Sequence, residues 1–253
     1  MIVVDTRDSR SKPLISIITA TYNAACHLPK LIESIKAQID RDFEWVVADG
    51  ASSDDTLDLL RHVEGLSMVV DSRPDCGIYD AFNRAIRLAR GEYYVICGAD
   101  DILYANAIDL YKQSVAKCDG VDVVVGAVRF GENIRQAFWH PENGWRGAHD
   151  IVTAHSVGML IKTGLHQSHG EYSLSYKQCA DALFIKKLAQ DSHLKIGLCP
   201  SIVGFFGLEG VSNNNVLNGL CEGLSIQLNT EKFRFLQVVL FALRLVKNIR
   251  NVI

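Results

Sequence analysis

The sequence carries almost no surplus of charge. Its 26 Lys and Arg stand against 29 Asp and Glu, a formal net charge of −3. With a pI near 6.2, the chain lacks the basic footprint that nucleic-acid binding requires. Paired cysteines are also missing. Cys26, Cys76, Cys97, Cys118, Cys179, Cys199 and Cys221 make an odd total of seven, with no Cys-x-x-Cys, which excludes a regular disulfide or zinc framework. Several of them lie in apolar stretches and read as reduced, buried thiols of a cytosolic protein. His166 and His169, with Cys179 nearby, lack the tight paired spacing of a zinc site. The opening MIVVDTRDSRSKP mixes acids and bases without an apolar segment, so it does not read as a secretion signal. Repeats and low-complexity tracts are absent, and so are the Gly-x-Gly-x-x-Gly and Gly-x-x-x-x-Gly-Lys phosphate loops.

What is present is an ordinary globular composition, 48% hydrophobic and 22% charged over 253 residues. That is enough for one sizeable domain with a real core, with or without an appendage. Leu14 to Ile18 is a β-branched run, followed by Leu28, Leu31, Ile32 and Ile35 at helical spacing. Trp45 to Ala48 reads as a second strand. Ser52, Ser53 and Asp54 are cap-type residues ahead of Leu57, Leu60 and Val63. Met68 to Val70 is a third strand, and a helix from Ile78 to Ala89 stops at Gly91, where a left-handed cap belongs. Tyr93 to Cys97 forms a fourth strand and Val121 to Val128 a further one. Strands alternating with helices predict an α/β fold: a mostly parallel, Rossmann-like sheet covered on both faces. Each early strand ends in polar residues: Thr19 to Asn23, Asp49, Asp71, and Asp100 with Asp101. Ligands of open α/β sheets bind beyond the carboxyl ends of the strands.

In GEYYVICGADD, two adjacent carboxylates follow an apolar strand. Each repels the other and is costly to desolvate alone. Carboxylates do not bind phosphate directly, but they hold a divalent metal that does. The pair therefore predicts Mg²⁺ or Mn²⁺ bridging to a diphosphate, with Asp49 and Asn23 placed to read a base or ribose.

The segments PLISIITATYN, VVADGASSDDT, SRPDCGIYDAFNRAI and GEYYVICGADD, in this order over residues 13–101, resemble the N-terminal half of family 2 glycosyltransferases with the GT-A fold. The resemblance implies a nucleotide-sugar site. Thr21, Tyr22 and Asn23 match the loop along the nucleoside, and Asp49 matches the acid that receives the base, with Ser52 and Ser53 continuing its turn. Asp75, Gly77, Tyr79, Asp80 and Asn83 match the stretch near the sugar and diphosphate. Asp100 and Asp101 match the DXD region. Gly98 stands where many relatives carry its first acid, which assigns the metal to Asp100 and Asp101. The second half, 102–230, is implied to hold the acceptor and the base. His155 and Asp181 match two polar anchors there, with Asp181 implied as general base, although Ser156 and Leu183 depart from the family pattern. Gly207 to Asn215 resembles the family's Gly-Val-Ser loop near the diphosphate. The implied activity is metal-dependent inverting transfer of a sugar from a nucleotide-diphosphate donor to a hydroxyl of a glycan or lipid-linked acceptor, in surface polysaccharide biosynthesis.

Trp139 and Trp145, in RQAFWHPENGWRGAHD, read equally as acceptor-facing platforms or as packing. After the domain at 1–230, the tail at 231–253 has an apolar run too short to span a bilayer. Lys232, Arg234, Arg244, Lys247 and Arg250 border and interrupt that run. This pattern predicts an amphipathic helix that either makes peripheral contact with the inner, anionic face of the cytoplasmic membrane or packs on protein. Two other functions compete. A nucleotidyltransferase would need a basic loop after the first strand, and TATYN has no Lys or Arg. A catalytically silent sugar-nucleotide-binding subunit would suit the departures at Gly98 and Leu183.

Overall fold

The computed structural model describes residues 1–8, 12–208 and 216–248. Strands β2 (Ile15–Thr21), β3 (Phe43–Asp49), β4 (Met68–Ser72) and β5 (Tyr93–Ile96) lie in the order β4-β3-β2-β5, all parallel. Alternation within each strand makes a two-sided core. Ile15 and Ile17 of β2 pack with Leu28, Leu31 and Ile35 of α1 (Leu28–Lys36), and this face also takes Leu60 of α2 (Thr56–Arg61) and Ile108 of α4 (Ala107–Lys117). Ile18, one residue on, joins the opposite core with Phe82 and Ala85 of α3 (Ile78–Leu88), Leu165 of α5 (Leu165–His169) and Phe184 of α6 (Ala180–Gln190). Side chains one residue apart on a strand point to opposite faces, so helices cover both.

The parallel expectation holds for this half only. Beyond β5 the sheet is mixed: β9 (Met159–Lys162) runs antiparallel to β5 and to β7 (Val123–Phe130). Strand β10 (Ile196–Phe206) then pairs parallel with β7. Short antiparallel edges complete it, with β6 (Ile102–Leu103) on β10, β8 (Asn133–Arg135) on β7, and β1 (Ile2–Asp5) on β4. Strand β9 is a brief apolar run, Met159 to Ile161, and local pattern alone does not reveal its direction.

Gly91 differs from its expected role. Its φ is not in the left-handed region; it is buried where a Cβ would lie 2.6 Å from Ser16 Oγ and 2.7 Å from Ser16 N. Close approach, not chain reversal, is what requires glycine there. The Gly91 N–H donates to Ser16 Oγ, which donates to the fully buried Glu44 carboxylate at 2.7 Å. The cysteines divide: Cys97 and Cys199 are buried as expected, but Cys26, Cys76 and Cys221 are exposed, and all seven are free thiols.

Helices α7 (Val216–Thr230) and α8 (Arg234–Lys247) follow. Lys186 of α6, 2% exposed, donates to the Gly144 carbonyl at 2.9 Å and to Gln227 and Glu231, fastening α7 to the domain. In α8 the buried side chain is polar: Gln237 accepts from Gln227 Nε2 at 3.2 Å. Its apolar residues face outward instead, with Phe235 82%, Leu243 62% and Val246 68% exposed. No helix among the described residues is long and apolar enough to cross a membrane.

Candidate functional site

The parallel register puts Thr21 opposite Asp49 and Asp49 opposite Ser72, so three strands end on one rim. Asp49 is fully buried, and its carboxylate is saturated. Oδ1 accepts Thr21 Oγ1 at 3.0 Å and Ser52 Oγ at 2.5 Å, while Oδ2 accepts the Ser52 N–H at 3.0 Å and Ser72 Oγ at 2.7 Å. Four donors match the capacity of a carboxylate. Asp49 thus holds the loop rather than offering an open oxygen. Asn23 locks the same turn from the other side, its N–H donating to Ser52 Oγ and its Oδ1 accepting the Ser53 N–H, both at 2.9 Å. Tyr22, between them, is 69% exposed and presents an aromatic face to solvent.

Among the described residues, the non-glycine positions with positive φ are Asn23 at 48°, Ala51 at 64° and Val157 at 62°. Asn23 and Ala51 belong to this rim, and Val157 lies against the end of β5. For a β-branched residue such a φ is an outlier, of order 1–3 kcal/mol, retained only where surroundings enforce it. Val157 is enforced by its N–H on the Ile96 carbonyl at 2.7 Å, and Tyr111 Oη donates to its carbonyl.

Asp75 and Asp80 organise the turn that opens α3. Asp75 Oδ1 accepts the Gly77 N–H at 2.9 Å and Asp80 Oδ2 the Cys76 N–H at 3.1 Å, with Gly77 at φ 120°. Arg84, which pattern reading did not single out, lies one helical turn beyond Asp80 and is 4% exposed. It donates to Asp71 Oδ2 at 3.1 Å and the Asp49 carbonyl at 3.0 Å, and reaches Asp75 Oδ2 at 3.5 Å. A basic residue inside an acid-rich helix start was the available signal. Asn83 is a correction. It is 4% exposed, and its amide is spent on the backbone of Tyr172, donating to the carbonyl at 2.8 Å and accepting the N–H at 3.0 Å. It clamps the second half of the chain to α3 instead of facing a donor.

Asp101 is a second correction. It is 3% exposed, and its oxygens accept the Gly98 N–H at 2.6 Å, the Gly207 N–H at 2.7 Å, and Ser156 Oγ. The positive ends compensating it are two backbone dipoles and a hydroxyl. Asp100 is half-buried, lodged between Gly98 and Gly207. A Cβ at Gly207 would sit 2.3 Å from Asp100 Oδ2, so glycine is required for the loop to close over the carboxylate. Among the described residues no three His, Cys, Asp or Glu side chains gather as a metal cage. Of the two acids, Asp100 keeps the more exposed carboxylate and is the residue that would hold a divalent ion. Residues 209–215, most of the Gly207 to Asn215 loop, lie outside the described residues.

On the far side of β5, Ser156 and His155 are covalent neighbours serving different acids. While Ser156 donates to Asp101, His155 Nδ1 stands 3.9 Å from Asp181 Oδ2. Asp181, in the first turn of α6, keeps its side chain 30% exposed and accepts Tyr79 Oη at 2.7 Å. Burial, reinforced by that carboxylate, holds the Tyr79 hydroxyl far above its usual range, so it remains a donor. Trp139 packs partly against the core, whereas Trp145 is 42% exposed beside Arg146.

A mixed sheet with a polar carboxyl rim and helices on both faces is the GT-A glycosyltransferase architecture. TarS 1-349 of S. aureus in complex with UDP-GlcNAc superposes with a TM-score of 0.68 over 94% of this chain and 73% of that one, at 18% identity. The mannosyltransferase PcManGT from Pyrobaculum calidifontis, solved with GDP-Man and Mn²⁺, gives 0.63 over 97% and 78%, at 19%. Residues 16–190 match glycosyl transferase family 2, and the chain belongs to that family. The PGL/p-HBAD biosynthesis glycosyltransferase Rv2957 of Mycobacterium tuberculosis is 33% identical over 181 residues, 67% of each chain. The chondroitin synthase of Pasteurella multocida is 31% identical over 234 residues, 90% of this chain but 23% of that enzyme.

Burial pushes Asp101 from 3.8 up to about 6, its three donors opposing the rise and Asp100 adding to it. The folded state therefore holds this proton more tightly than the unfolded chain. The stabilisation from protonation is complete below the unfolded value and lost as pH rises through about 6. Between pH 7 and pH 5, wild type should gain about 1 kcal/mol relative to Asp101→Asn, which has no such proton to bind. Urea unfolding of both proteins at the two pH values measures this, and a constant gap between them would contradict it.

Proposed function

We propose that this glycosyltransferase moves a sugar from a nucleoside-diphosphate donor to a hydroxyl of a glycan or lipid-linked acceptor, in one displacement that inverts the anomeric carbon. The observation that carries the reading is Asp181: a partly exposed carboxylate at the start of α6, aligned by Tyr79 and facing His155, whose neighbour Ser156 bonds Asp101 beside the half-buried Asp100. A sugar hydroxyl is a weak nucleophile, so a carboxylate within hydrogen-bond reach must take its proton as attack develops. One base opposite one leaving group means a single inversion.

Donor recognition falls to the loop that Asp49 and Asn23 brace. Tyr22 offers the base a flat face, Thr21 and Ser52 hold the loop's course, and the turn at Asp75, Gly77 and Asp80 lies alongside. A divalent ion held through Asp100 would offset the charge growing on the departing nucleoside diphosphate. Relatives named for PGL/p-HBAD biosynthesis and chondroitin synthesis support a role in building surface glycans. Helix α8 supplies peripheral membrane contact: its outward Phe235, Leu243 and Val246, set among Arg234, Arg244 and Lys247, suit an anionic lipid surface.

Asp181→Asn should lower transfer by at least about 10²-fold, the contribution of a positioned base, while donor affinity stays nearly constant; full activity would refute the assignment. Asp100→Asn should abolish the Mn²⁺-dependent rise in Tm produced by UDP or GDP in wild type, since only a ligand bound to the native state raises Tm. A retained rise would move the metal elsewhere. Phe235→Ser with Leu243→Ser should lose co-flotation with anionic vesicles, and partitioning identical to wild type would end the membrane reading.

A further inference from the structure

Behind Asp181 a continuous line of polar groups runs through the core. His155 Nε2 is 2.7 Å from Tyr172 Oη, which is 2.9 Å from Tyr94 Oη, which is 2.7 Å from His166 Nε2. His166 Nδ1 ends the line 3.0 Å from the Gly170 carbonyl. Tyr172 and Tyr94 are 2% and 0% exposed, while His166 is half-buried in α5, stacked on Phe184. One end meets the candidate base and the other approaches solvent.

The carbonyl fixes the order of protons along the line. A carbonyl only accepts, so His166 Nδ1 carries hydrogen and its neutral ring offers Nε2 as acceptor. Tyr94 then donates to His166, Tyr172 to Tyr94, and His155 Nε2–H to Tyr172. That leaves His155 Nδ1 with a bare lone pair toward Asp181, consistent with the 3.9 Å gap, too long for a hydrogen bond. Protonated Asp181 reverses this mismatch, because its O–H can donate to Nδ1.

We propose that His155, Tyr172, Tyr94 and His166 form a proton relay that carries the proton accepted by Asp181 out of the site to the surface at α5. The proposal rests on the reading of Asp181 as base. Asp181 O–H gives its proton to His155 Nδ1, and His155 Nε2–H passes to Tyr172. The Tyr172 proton moves to Tyr94, and the Tyr94 proton to His166 Nε2. His166, doubly protonated, releases its Nδ1 proton to water; this leaves His155 with Nδ1–H and His166 with Nε2–H, and the line is ready again once both imidazoles reorient and the hydroxyls rotate back. One proton enters and one leaves, with no change in electron count. Both imidazoles are held below their ordinary range, chiefly by burial, so neither retains the proton at neutral pH. Asp181 opposes this at His155. Around His166 stand Glu171, paired with Arg87; His169, paired with Asp191; and Lys187, donating to the His169 carbonyl.

The test is ring ¹⁵N NMR of the full chain without ligand. At pH 7.5 His155 should be protonated on Nε2 and His166 on Nδ1. On acidification, protonation of His166 should change the His155 ring signals at the same midpoint, because the line reverses as a unit. Tyr94→Phe should separate the two titrations, and Tyr172→Phe provides a second break in the line. His155 carrying its proton on Nδ1 at pH 7.5, or independent midpoints in wild type, would overturn the relay. Asp181→Asn activity scores the base separately: the relay can fail with Asp181 still the base, and imidazole coupling can persist if it is not.

Discussion

The carboxyl rim rests on one buried cation. The Arg84 guanidinium ties Asp71 of β4, the backbone of Asp49 at the end of β3, and Asp75 in the loop before α3. Its Nε finds no acceptor, so the arrangement is not optimised for Arg84 itself. Removing one partner from a buried ion pair typically costs about 3–5 kcal/mol, because the other charge stays buried. That asymmetry fixes the spacing of two neighbouring strand ends and the loop that leads into α3. Tyr22, Asn23 and the Asp75 turn inherit their positions from it.

A division among the acids follows. Asp49 and Asp101 are buried and saturated by N–H groups and hydroxyls, and they set loop geometry. Asp100 and Asp181 keep partial exposure and stand at loop and helix starts. The first pair is costly to desolvate and is compensated internally; the second pair has room to meet a ligand. Charge at the rim is therefore managed by three agents, Arg84, backbone dipoles and a proposed metal, rather than by metal alone.

Much of this was legible in the sequence. Apolar alternation located β2 to β5 and both helical faces, because side-chain period is a local property. Polar strand ends marked the rim, and the ordered motifs identified the family. What the sequence does not display is, in each case, a partner far along the chain. Asn83 looked donor-facing until Tyr172, 89 residues later, took its amide. Asp101 looked like a metal ligand, but Ser156 and Gly207 satisfy it from 55 and 106 residues away. Gly91 matched a cap by position, but its neighbour is Ser16. Spacing reports which residues can share a helix face or turn; it does not report what the fold brings against them.

The dipeptide His155-Ser156 shows what that long-range assembly accomplishes. Its two side chains serve opposite halves of the site, Ser156 on the Asp101 loop and His155 beside Asp181. The strained Val157 that follows is pinned by Ile96 and Tyr111, from β5 and α4. A shift of this turn would move both acids' partners together. Strain retained at such a point is explained if the relative placement of the Asp101 loop and Asp181 depends on it. The backbone at 155–157 is then the physical link that keeps the Asp101 loop and the start of α6 in a common geometry.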